Sequence, residues 1–93
     1  MIRTVKNSDT EAVANRKRCR TFPASIQRRA QAKLMMLNNA RDLNDLRVPP
    51  GNRLEALSGD RKGQYSIRIN DRWRICSSWT QGDSLGVEIV DYH

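Results

Sequence analysis

The most constraining feature of this chain is a pair of alternating runs on either side of Asn70-Asp71-Arg72. From Gln64 to Ile69, Tyr65, Ile67 and Ile69 fall on one face and Gln64, Ser66 and Arg68 on the other. Trp73, Arg74, Ile75 and Cys76 then alternate again. A three-residue loop over 70–72 sets Ile69 opposite Trp73 and Ile67 opposite Ile75, so the two runs share one buried face. A two-residue loop would instead put Arg68 beside Trp73 and Ile67 beside Arg74. Because a one-residue slip flips every side chain, burial selects the odd-length loop. Arg68 and Arg74 are then predicted to be cross-strand neighbours on the opposite, solvent-facing side. Directly opposed like charges cost about 0.2–1 kcal/mol unless an anion lies between them. The pair is therefore a candidate phosphate site, or else two exposed strand cations fanned apart by twist.

The rest of the chain supplies helices first and strands afterwards. Ile2 to Lys6 reads as a short strand rich in β-branched residues. Ser8 or Asp9 is predicted to cap a brief helix through Glu11, Ala12, Val13 and Ala14. Pro23 suits the first turn of a longer helix, in which Ile26, Ala30, Leu34 and Leu37 form an apolar stripe. Met35 and Met36 are expected to widen the core-facing side, while Arg28, Arg29 and Lys33 lie off it. Arg41 to Leu46 adds a helical turn with Leu43 and Leu46 inward, and Val48-Pro49-Pro50-Gly51 ends this half. Arg53 to Leu57 is a short strand candidate, and Val87 to Tyr92 is the last strand, after a Gln81-Gly82-Asp83 turn. This order argues for an α+β fold with an antiparallel meander. The 93 residues fit a single domain over 1–93 with no internal repeat.

Thirteen of the seventeen basic residues are Arg, against ten carboxylates, giving a net charge of +7 and a pI near 10.3. A guanidinium fork binds phosphate through two parallel hydrogen bonds, so the excess of Arg points to a polyanion, nucleic acid before membrane. Arg16, Lys17, Arg18 and Arg20 put four cations into five positions. Such density favours an exposed loop, either a plain solvated segment or a phosphate-binding arm ordered by a partner. Cys19 and Cys76 lack CxxC or Cys/His spacing, so neither a disulfide framework nor a metal site is implied, and no cofactor is expected. No stretch approaches the apolar length of a membrane span and no signal peptide is evident, so the expected location is the cytoplasm.

The sequence ends Asp91-Tyr92-His93, which contains the only His. Metal-free RNA cleavage needs a base for the ribose 2′-hydroxyl, a cation for the charge on the phosphorane and an acid for the leaving oxygen. Arg74 and Arg68 could supply the cation, and Asp91, Tyr92 and His93 are candidates for the proton transfers if the last strand lies beside Arg74.

These same residues carry a resemblance. Leu54-Glu55-Ala56-Leu57-Ser58-Gly59-Asp60-Arg61, Tyr65-Ser66-Ile67-Arg68-Ile69-Asn70-Asp71-Arg72-Trp73-Arg74-Ile75 and Val87-Glu88-Ile89-Val90-Asp91-Tyr92-His93 resemble toxins of the HigB branch of the RelE superfamily. The likeness spans nearly the whole chain and is strongest from Pro49 onward. It implies a RelE-like fold, a twisted, mainly antiparallel sheet packed against two or three N-terminal helices. It also implies a type II toxin that cleaves mRNA in the A site of the 70S ribosome without metal. A helix-turn-helix HigA-type antitoxin would neutralise it and carry the pair to operator DNA. By resemblance, Arg74, Asp91, Tyr92 and His93 match the positions that carry HigB activity. One departure stands out: some HigB proteins have a His and a Lys in the loop before G-D-R, where this chain has Glu55 and Ser58. Arg68 or Arg61 would then supply the missing cation and Glu55 a proton-transfer group, or the activity is weak.

Two further readings come from other classes. RelE-like folds include ParE toxins, which poison gyrase without cutting RNA; the terminal Tyr and His speak against that role, which needs no acid–base pair. A non-catalytic RNA-binding module is disfavoured by the scarcity of aromatics, since Trp73 and Tyr65 are assigned to the core.

Overall fold

A computed structural model describes residues 1–91; the expected site residues Tyr92 and His93 lie outside the described residues. Helix α1 (Ser8–Ala14) begins one residue earlier than the expected caps. Asn7, rather than Ser8 or Asp9, is the N-cap and accepts from the Thr10 amide at 2.8 Å. Asp9 and Glu11 sit in the first turn, where a carboxylate meets the positive end of the helix dipole. Helix α2 (Ala24–Asn39) buries Ile26, Ala30, Leu34 and Leu37, the expected stripe. Met36 packs against the core as expected, but Met35 turns outward and is half exposed. A 3₁₀ turn over Leu43–Leu46 and another over Pro50–Asn52 then lead into the sheet.

The sheet is an antiparallel meander of β1 (Glu55–Ala56), β2 (Gln64–Arg68), β3 (Trp73–Thr80) and β4 (Asp83–Asp91), in that spatial order. The expected register holds: Ile67 opposes Ile75 and Arg68 opposes Arg74. The β3–β4 connection is two residues long, Gln81 and Gly82, both with positive φ (49° and 83°). These are the dihedrals of a turn whose twist matches that of its flanking strands. It lengthens both strands, so β4 starts at Asp83 rather than Val87. The N-terminal segment forms no continuous strand. It lies along β4 through two parallel bridges, Ile2 to Ser84 and Val5 to Val87.

One face of the sheet receives the helices. Ile67, Ile69, Ile75, Val87 and Ile89 pack against Val13, Ile26, Ala30, Leu34 and Leu37. Trp73 meets Phe22 edge-to-face at 5.5 Å. The Thr10 hydroxyl accepts from the Ile89 amide at 3.1 Å, which fixes α1 to β4. The opposite face departs from expectation. It is not an open charged surface: Ser66 and Cys76 are buried, and Arg74 is only 9% exposed rather than solvent-facing. The loop before β1 reaches over this side, where the Arg53 carbonyl accepts from Arg74. The strand expected over Arg53 to Leu57 forms, but only over Glu55–Ala56.

Candidate active site

Strand register arranges the outer face in rows. Glu55, Ser66, Cys76 and Glu88 lie side by side across the four strands, and Arg68, Arg74 and Val90 form the next row. Arg74 is anchored here. Its Nε donates to Ser66 Oγ at 2.8 Å, and its Nη2 donates to the Arg53 carbonyl at 2.7 Å. Arg53 can turn that carbonyl inward because it leaves the Pro50–Asn52 turn in a left-handed conformation, at φ 45° and ψ 54°. A buried guanidinium held in this way presents a fixed orientation to a ligand.

The neighbouring charges converge on the same patch. Arg61, from the 3₁₀ turn Gly59–Arg61, reaches Glu88 at 3.3 Å and Gln64 at 3.0 Å. The Cys76 thiol lies among them. Burial pushes its pKa up; Arg61 and Arg74 pull it down, while Glu88 and Glu55 reinforce the rise. Glu55, Arg61, Arg68 and Arg74 thus share one face. Arg68 forms an ion pair with Asp71 at the rim. Both cysteines are free thiols.

Asp91 and the four cations of the basic segment sit elsewhere. Register puts Asp91 opposite Trp73, on the helix side of the sheet, whereas Arg74 is opposite Val90 on the outer side. There Asp91 accepts from Arg72, whose Nε contacts both carboxylate oxygens at 2.9 Å and whose Nη2 contacts one at 2.7 Å. Those bonds raise the pKa of Arg72, whose guanidinium also lies 5.7 Å from the Trp73 ring centre. The basic segment Arg16, Lys17, Arg18 and Arg20 is exposed, as expected, but it is tied down between α1 and α2 rather than set on the outer face. Cys19 is buried, Gln27 Nε2 donates to the Cys19 and Phe22 carbonyls at 2.7 and 3.1 Å, and Thr21 donates to Asp9 at 3.0 Å.

Sequence reasoning passed over Ser66, Arg53 and Arg72. Ser66 and Arg53 act through a hydroxyl and a carbonyl, which leave no periodic trace. Arg72 was assigned to the loop, yet its place before Trp73, across from the end of β4, was a usable signal.

Residues 11–93 match the family described as the RelE-like toxin of type II toxin–antitoxin system HigB. The chain belongs to the HigB-like toxin family. It is 45% identical to Toxin HigB-1 of Vibrio cholerae serotype O1 over 69 residues, which is 74% of this chain and 73% of that protein. It is 27% identical over the full length of both chains to a protein of Proteus vulgaris named Endoribonuclease HigB. Among solved structures, YafQ from E. coli strain BL21(DE3) superposes with a TM-score of 0.64 at 14% identity, covering 98% of this chain and 91% of YafQ. That likeness shows the shared fold, and with the family it establishes the expected RelE-like α+β architecture. As a type II toxin of this family, the protein has an antitoxin as its partner.

Proposed function

We propose that this HigB-like toxin is a ribosome-dependent endoribonuclease that cleaves mRNA, with the scissile phosphate bound on the outer face of the sheet. The observation that carries the proposal is the buried guanidinium of Arg74, fixed by Ser66 and Arg53 beside its cross-strand neighbour Arg68. The full-length relative named Endoribonuclease HigB supports the reaction class.

In this reading the ribose 2′-oxygen attacks the adjacent phosphorus, its proton passes to a base, and the P–O5′ bond breaks as an acid protonates the leaving 5′-oxygen. The products are a 2′,3′-cyclic phosphate and a 5′-hydroxyl. Arg74 takes the charge that builds on the non-bridging oxygens, and Arg68 adds a second cation at the rim. Such preorganised donors are worth about 10²–10³ in rate each in comparable sites. Tyr92 and His93 serve as the proton-transfer pair, and Glu55, which shares the face with Arg74, is the alternative base. Asp91, held by Arg72 on the far side, positions the strand end that carries Tyr92 and His93 rather than touching the phosphate. Arg61 and the exposed Arg16, Lys17, Arg18 and Arg20 supply affinity for RNA phosphates, including those of the 70S ribosome.

The toxin works in the cytoplasm in this account. No helix among the described residues is long and apolar enough to cross a membrane. Its antitoxin is of the helix-turn-helix HigA type and links the pair to operator DNA. The relatives above give the gyrase-poison reading no support. The test is primer extension on translated messages in cells expressing the toxin. New 5′ ends within reading frames are expected, and intact messages with toxicity unchanged in Arg74→Ala and His93→Ala would reject the proposal.

A further inference from the structure

A second basic site lies round the corner from Arg74. Helix α2 faces the β2–β3 loop across an open cleft of about 470 Å³ lined by Arg29, Lys33, Gly51, Arg68, Asn70 and Asp71. Arg29 and Lys33 stand one helical turn apart, a spacing at which like charges repel. Their partners in the protein are neutral. Arg29 Nη1 donates to the Ile69 carbonyl at 3.4 Å, and Lys33 donates to Asn52 Oδ1. Among the described residues the lining holds one carboxylate, Asp71, and it pairs with Arg68. Three cations therefore meet one acid. The pKa of Lys33 is lowered, first by burial and then by Arg29.

The loop that follows Pro50 joins this cleft to the candidate active site. Gly51 lines the cleft, Asn52 receives Lys33, and the Arg53 carbonyl holds Arg74. Arg68 belongs to both places, as cleft lining and as cross-strand neighbour of Arg74. No aromatic side chain among the described residues lines the cleft, so it offers no platform for stacking a base. Its chemistry is that of a backbone contact, which fixes register without reading sequence.

We propose that Arg29, Lys33 and Arg68 form a phosphodiester clamp that holds the RNA backbone next to the phosphate bound at Arg74. This deepens the proposed function and rests on it for the identity of the strand. The clamp sets how the strand lies across the outer face: Arg68 is shared by consecutive phosphates, and α2 supplies the second wall.

The experiment uses an uncleavable 2′-O-methyl RNA hexamer, with binding followed by fluorescence anisotropy over a range of salt. For single strands each phosphate contact contributes about 0.7 to the log–log salt slope. Lys33→Gln and Arg29→Gln are each expected to lower the slope by about that amount. Lys33→Arg keeps the slope and shows that a charge, rather than the Asn52 hydrogen bond, is what the RNA requires. Thermal melts of each variant separate loss of fold from loss of binding. Absence of hexamer binding by the wild type, an unchanged slope in both Gln variants, or loss of binding only when the Arg16–Arg20 segment is neutralised would overturn the clamp. Hexamer binding that depends on Arg29 and Lys33, together with uncut messages in primer extension, would leave the clamp standing and reject the nuclease reading instead.

Discussion

Replacing Ser66 by Ala isolates the feature on which the site is built. The hydroxyl accepts from Arg74 Nε at 2.8 Å, and Ser66 is only 1% exposed, so water cannot readily take its place. A hydrogen bond to a charged group is worth about 1.5–3 kcal/mol, and an abandoned buried donor costs a similar amount. Ser66→Ala should therefore lower unfolding stability by about 1–3 kcal/mol, read from the midpoint in urea at unchanged slope. The effect on cleavage has a different origin. With Nε released, the Nη2 bonds to the Arg53 carbonyl at 2.7 Å and the Ser66 carbonyl at 3.5 Å remain, and neither fixes the Nε edge of the guanidinium. A misplacement of about 1 Å in a positioning group can cost about a hundredfold. Single-turnover cleavage of a message on programmed ribosomes should fall by about 10–100-fold, equivalent to roughly 1.4–2.8 kcal/mol. In the Ser66→Ala/Arg74→Ala double variant the rate should match that of Arg74→Ala alone, because Ser66 acts only through Arg74. A stability loss with an unchanged cleavage rate would refute the reasoning, since orientation of this guanidinium would then be irrelevant to the chemistry.

Other regions give independent expectations. Asp83 clamps the N-terminal segment through Arg3 at 3.0 Å and the N-terminal ammonium at 3.6 Å, and the Arg3 hydrogen bond leads in holding its carboxyl below the ordinary 3.8. Its contribution is present above 3.8 and lost as pH falls through the lower folded value, so acid should unfold the wild type with an extra proton uptake that Asp83→Asn lacks. Arg72→Ala removes a solvent-screened bidentate pair and should shift the urea midpoint only slightly. The same variant should slow cleavage more than it destabilises, because the end of β4 loses a tether. In the β3–β4 turn, Gln81→Asn should raise the melting midpoint, since Asn tolerates the left-handed φ of 49° better. Gly82→Ala should lower it, since its Cβ would stand 3.1 Å from the Arg41 carbonyl at a φ of +83°.

What the sequence disclosed depended on periodicity. The hairpin register was legible because Ile67, Ile69 and Ile75 must be buried together, and that forces Arg68 opposite Arg74. The α2 stripe was legible for the same reason. The burial of Arg74 was not, because alternation assigns a charged side chain to solvent unless something covers it. The cover here is the loop around a left-handed Arg53, whose carbonyl accepts from Arg74 and which has no repeating pattern. The Arg29–Lys33 cleft escaped for a related reason: positions off the apolar stripe look alike until the β2–β3 loop is seen beside them. Asp91 was expected beside Arg74, whereas the register sets Asp91 opposite Trp73 and Arg74 opposite Val90, on different faces of the sheet.

In the proposed reaction Arg74 is the cation that meets the scissile phosphate. The most direct measurement is the single-turnover cleavage rate of a ribosome-bound message by Arg74→Ala, with affinity for the programmed ribosome and the melting midpoint measured on the same samples. The prediction is a rate loss of at least about 100-fold with ribosome affinity largely retained. A folded variant that cuts at the wild-type rate, or whose defect lies wholly in ribosome binding, would contradict it.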